Sequence, residues 1–131
     1  MSRFVLHVGA ALEVVRRDLQ VSAAHELLAP TLLRSQTLSA LHEAVARGEL
    51  PVDVARDHLA RVGRLTIRLL GDAVLRRRAW ELADRLGWAS TYDAEYAALT
   101  QLQADALITT DEELACTLDG VVPTARLDAL T

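Results

Sequence analysis

Asp93 and Asp111 are the residues of this 131-residue chain best suited by type and spacing to do chemistry. Ser90 or Thr91 can cap a helix whose inward stripe is Tyr92, Tyr96, Leu99 and Leu102, with Asp93 in its first turn. Ala106-Leu107-Ile108 then reads as a short buried strand, and Thr109-Thr110 lead into a second helix start at Asp111. Helix, strand and acid-bearing loop in this order point to an α/β fold, where ligands collect at the carboxyl ends of strands. The two carboxylates would face one pocket there. Clustered carboxylates hold hard divalent cations, which activate water and neutralise charge on a phosphate. A plainer role also fits both acids. First-turn acids complement the helix dipole, and Thr110-x-x-Glu113 has the form of a capping box that would make Asp111 an ordinary first-turn residue.

The rest of the chain supplies the elements that must position these acids. Arg3–Val8 is a continuous β-branched and aromatic run, as expected of a parallel strand buried on both faces. His7 interrupts it near the carboxyl end, where a lone histidine is ordinarily a hydrogen-bonded core residue. Gly9-Ala10-Ala11 open a helix reaching about Arg17, and Glu26–Ala29 suggest a second small strand. Pro30 suits the first turn of the next helix, whose Leu33, Thr37, Ala40, Leu41 and Ala44 recur at helical spacing until Gly48. Pro51 starts another, with Ala55, His58, Leu59 and Val62 on one stripe and Gly63 near its end. Leu65–Leu70 form the third strand candidate, and Asp72 caps a helix carrying Leu75, Ala79, Leu82, Ala83 and Leu86 inward. Arg76-Arg77-Arg78 on that helix spread around it and read as solvated surface. Val121–Leu127 reads as an edge strand, with Pro123 confining it to the border of the sheet. This order predicts one domain over residues 1–131: a three-layer α/β/α sandwich on a mainly parallel sheet.

Composition narrows the classes. Half of the residues are apolar and aromatics are few, so Leu, Val and Ala must pack the core. The net charge of −4 argues against a protein held to nucleic acid by its overall field, while leaving room for a local basic groove. All fourteen basic residues are arginine, which a GC-rich genome explains better than function does. One cysteine, Cys116, excludes an internal disulfide and fits a reducing cytoplasm; near a helix end it reads as a small space-filler. No run is long enough to span a membrane.

YDAEYAAL followed by LITTDEELA resembles the C-terminal half of a PIN domain of the VapC type, the toxin ribonuclease of bacterial toxin–antitoxin pairs. In that family the aspartates of these two motifs ligate a catalytic metal. The resemblance therefore assigns metal ligation and catalysis to Asp93 and Asp111, with Thr109 as the accompanying threonine. It extends over essentially the whole chain. The segment from the first strand to Pro30 is several residues shorter than is usual in the family. Two further acidic positions of the family pattern are replaced: the first aspartate by His7, and the glutamate of APTLLRSQTLSAL by Gln36.

The resemblance implies a metal-dependent endoribonuclease using Mg²⁺ or Mn²⁺ on RNA phosphodiesters, a homodimer, and a small antitoxin partner. The replacements cut against the chemistry. At an effective dielectric near 20, one unit–unit attraction at 4 Å is worth about 4 kcal/mol, and two such attractions to the cation are missing. Neutral imidazole also suits Mn²⁺ better than Mg²⁺. Two functions therefore stand: a toxin-type ribonuclease, impaired or altered, with His7 as a third ligand, or an inactive PIN-fold binding protein that keeps its dimer or antitoxin surface. Glu95, Glu112 and Glu113 are the acids near enough in sequence to compensate, if they point inward.

Overall fold

The computed structural model describes all 131 residues. Five parallel strands form one sheet: β1 (Ser2–Leu6), β2 (His25–Pro30), β3 (Ile67–Leu70), β4 (Ala106–Ile108) and β5 (Thr124–Ala125), in the order β3-β2-β1-β4-β5. Six α-helices connect them: α1 (Val8–Arg16), α2 (Leu32–Ala46), α3 (Val52–Arg64), α4 (Ala73–Leu86), α5 (Tyr92–Gln103) and α6 (Glu112–Thr117). The chain moves outward from β1 to β3, then returns to the other side of β1 for β4 and β5. Right-handed crossovers consequently place α1–α3 on one face and α4–α6 on the other. This is a doubly wound sandwich whose switch point lies between β1 and β4.

Local chemistry explains most boundaries. The Asp72 carboxylate accepts the Leu75 N–H at 2.9 Å to start α4, and Gly87 ends it in the left-handed region at φ 69°. Thr91 occupies the N-cap of α5 without a side-chain bond, and the neighbouring Ser90 hydroxyl accepts the Tyr92 N–H at 3.3 Å. The buried residues of α5 include Ala94, Ala97 and Ala98, small enough for the helix to lie close on β1, β2 and β4. Val5, Leu6, Leu107 and Ile108 are fully buried at the middle of the sheet, as a strand covered on both faces requires.

Several sequence expectations are corrected. The first strand stops at Leu6, because its partner β4 ends opposite it, Leu6 against Ile108. Pro30 closes β2, paired with Leu70, instead of opening α2; having no N–H, it is tolerated where the strand ends. The third strand loses Leu65 and Thr66, and β5 contracts to two residues beside the three-residue β4, so Val121–Leu127 is mostly loop followed by a 3-10 turn. Tyr92 points outward and is 56% exposed. Cys116 is exposed on α6 and packs no core. The three-layer α/β/α sandwich on a parallel sheet is as expected, and all four strand pairs are parallel.

Leu107 is flanked by β1 and β5 and buried on both faces. Leu107→Ala should cost about 3 kcal/mol, lowering the urea midpoint with an unchanged slope.

Candidate functional site

β1 delivers His7 to the carboxyl edge of the sheet, at the switch point. Its N–H continues the ladder to Ile108 at 3.0 Å, while its carbonyl accepts the Ala11 N–H at 2.9 Å as the N-cap of α1. His7 is thus the last residue of one element and the first of the next, which fixes its backbone. The residue is buried, 8% exposed, and its ring meets Tyr96 edge-on, with centroids 4.7 Å apart.

His7 Nε2 lies 2.9 Å from Asp93 Oδ1. A carboxylate only accepts, so Nε2 carries the proton and donates it. Bonds of this kind contribute about 1.5–3 kcal/mol when a charged group takes part. Tyr96, on the next turn of α5, is fully buried and donates from its hydroxyl to Gln36 Oε1 at 2.7 Å. Burial, followed by the charges of Asp93 and Glu95, holds the Tyr96 hydroxyl far above the usual tyrosine range, so it keeps its proton. That proton in turn orients the Gln36 amide, oxygen toward α5. His7, Asp93, Tyr96 and Gln36 are therefore one connected group spanning the β1–α1 junction, α5 and α2.

Asp111 lies on the same edge but outside this group. It is exposed, and it is itself the N-cap of α6: its carboxylate accepts the Leu114 N–H at 3.0 Å, while its own N–H binds the Thr109 hydroxyl at 3.0 Å. The capping box expected from Thr110 and Glu113 is replaced by this Asp111 cap. A hollow of about 660 Å³ lined by Asp111 also takes in Thr109, Glu112 and Arg126, and includes neither His7 nor Asp93. Gly9 keeps the two regions close, since a Cβ there would stand 3.3 Å from the Thr110 hydroxyl.

The neighbouring acids do not make up a ligand set. Glu112 is drawn to Arg126 at 3.0 Å in open solvent, and Glu113 is exposed. Glu95 is half-buried, and its carboxyl is raised from the usual range by burial, offset in part by Arg76. Nowhere do three or more His, Cys, Asp or Glu side chains gather into a set that could hold a metal ion by itself. A divalent cation placed between Asp93 Oδ1 and His7 Nε2, with both as ligands, would have to displace the proton that joins them. The donors present do not fit Mg²⁺ or Mn²⁺. The Tyr96–Gln36 bond escaped sequence reading, although Tyr96 was visible as an inward residue; its partner is sixty positions away.

In fold the chain is similar to VapC-type PIN structures. Among solved structures it is similar to PAE2754 from Pyrobaculum aerophilum, with 21% identity and a TM-score of 0.77 over 98% of this chain and 92% of that one. It is likewise similar to VapBC2 from Rickettsia felis bound to a DNA fragment from their promoter, with 8% identity and a TM-score of 0.67 over 95% and 98%. VapBC-1 from nontypeable Haemophilus influenzae matches at 12% identity and a TM-score of 0.65 over 96% and 98%. No protein-family model and no curated protein matches the chain. No helix is long and apolar enough to cross a membrane.

Glu95 gives a pH test. Its carboxyl is raised in the folded state, so its favourable contribution is complete below the ordinary carboxyl range and is lost as pH rises through the raised value. Glu95→Gln should melt higher than the natural chain at pH 7 and equally at pH 4. Asp111→Ala, which removes the α6 cap, should cost about 1 kcal/mol in chemical denaturation.

Proposed function

We propose that this chain is a VapC-like protein that acts through binding and has given up metal-dependent phosphodiester hydrolysis. The observation that carries this is the hydrogen bond between His7 and Asp93, which commits one of the two remaining acids of the expected ligand set to an imidazole. Asp111, the other, is committed to capping α6. What hydrolysis of RNA by this fold asks of the cleft is concentrated negative charge, to hold a dication against a phosphate. His7 and Gln36 supply none, and Asp93 already has a donor.

The reading keeps what the fold offers besides chemistry. Two of the similar structures are VapBC complexes, and by that likeness we assign this chain a small antitoxin-type protein partner and a homodimeric state, as a single domain in the cytoplasm. RNA is then a ligand at most, not a substrate.

The test is cleavage of single-stranded and structured RNA by the purified protein in millimolar Mg²⁺ or Mn²⁺. No cleavage above a buffer control is expected with either metal. Mg²⁺-dependent cleavage that disappears in Asp93→Asn would overturn the proposal. Sedimentation at tens of micromolar should give a dimer, and a monomer alone would remove the assembly part of the reading.

A further inference from the structure

We infer that His7 takes over in this protein the structural work of a bound cation: it is the permanent partner of Asp93, and the native state is complete with no divalent ion. The inference rests on the non-hydrolytic reading of the same cleft and adds what occupies Asp93 in place of metal.

Three features carry it. The first is commitment. A neutral imidazole binds a metal through an unprotonated nitrogen, and the nitrogen that faces Asp93 at 2.9 Å must hold a proton to bond a carboxylate. Metal and proton compete for that place.

The second is immobility. His7 cannot swing aside cheaply, because its backbone is held between the β1 ladder and the first turn of α1, and its buried ring is packed edge-on against Tyr96. Tyr96 is in turn fixed by full burial and by its bond to Gln36. The four side chains tie α2, α5 and the β1–α1 junction together across the edge of the sheet. In a site of clustered carboxylates the cation draws such elements together. Here neutral donors do so.

The third is charge. Asp93 is the one carboxylate of the connected group, and its side chain remains 45% exposed. One partly solvated carboxylate with a hydrogen-bond donor needs no dication to offset repulsion, whereas several would.

The experiment follows melting of the natural protein in EDTA, in millimolar Mg²⁺ and in millimolar Mn²⁺, alongside His7→Asp and His7→Gln. The natural protein should melt at one temperature in all three solutions. His7→Asp, which sets a carboxylate against Asp93, should melt lower in EDTA by about 5 °C or more. It should then recover with rising Mn²⁺ or Mg²⁺ through linkage. His7→Gln, which keeps an N–H donor, should lose less and respond to neither metal. A second readout needs no variant. Mn²⁺ is paramagnetic, and it should leave the amide signals of residues 7–10 and 92–96 unbroadened relative to the rest of the protein.

A melting temperature of the natural protein that climbs with Mn²⁺ or Mg²⁺, or selective broadening of those amides, would overturn the inference. So would His7→Asp melting like the natural protein in EDTA. RNA cleavage in EDTA would defeat the binding reading of the preceding section and leave this inference standing, so the two failures are distinguishable.

Discussion

The structure depends on the placement of β1 between β2 and β4, hydrogen-bonded on both sides and covered on both faces. A strand so placed has no freedom at its carboxyl end. It must leave the sheet at the point where the two halves of the fold diverge, and the first residue to leave looks directly into the crevice between them. In this chain that residue is His7, still bonded to Ile108 while already capping α1. The backbone bonds of position 7 are therefore indifferent to its side chain. A change of residue there alters the chemistry of the crevice and leaves the ladder in place, which is how a fold can be kept while its site is rewritten.

Much of this was legible before any coordinates. Leu107 and Ile108 sit in an apolar stretch too short for a helix and preceded by Tyr96, Leu99 and Leu102 at helical spacing, so the α5–β4 passage could be read with nearly the observed limits. Asp72 is the kind of residue that starts a helix, and it does. Where the reading slipped, the cause was a partner elsewhere in the chain. Nothing near Pro30 announces that Leu70 will pair with it, and nothing near Val121 says that β4 offers only three residues for an edge strand to match. Tyr92 fits the helical stripe of α5 by spacing, yet lies on the first turn, beyond the reach of the sheet.

The candidate site was legible in a different way. Motif spacing found Asp93 and Asp111, and the replaced positions His7 and Gln36 were visible as departures from a pattern. Spacing could not say that the departures are joined to each other through Tyr96, a tyrosine that also counts as ordinary core. Nor could it say that Asp111 would spend its carboxylate on the N–H of Leu114. Hydrogen-bond partners within one turn can be guessed from local sequence, as at Asp72. Those separated by sixty or eighty residues belong to the fold.

The pairing of the first strand with the fourth also governs when the protein can become itself. The Arg3 N–H binds the Asp105 carboxylate 102 residues further along, and Phe4 lies beside Ala106. At about 5–20 residues per second of synthesis, the opening strand waits on the order of 5–20 s for this neighbour to emerge. Until then β1 has only β2 beside it, with one row of its backbone groups unpaired. Such non-local parallel pairing is slow to form and prone to mispairing in the interval. A newborn chain of this topology therefore has a built-in period of vulnerability on the ribosome, ended by the arrival of a three-residue strand.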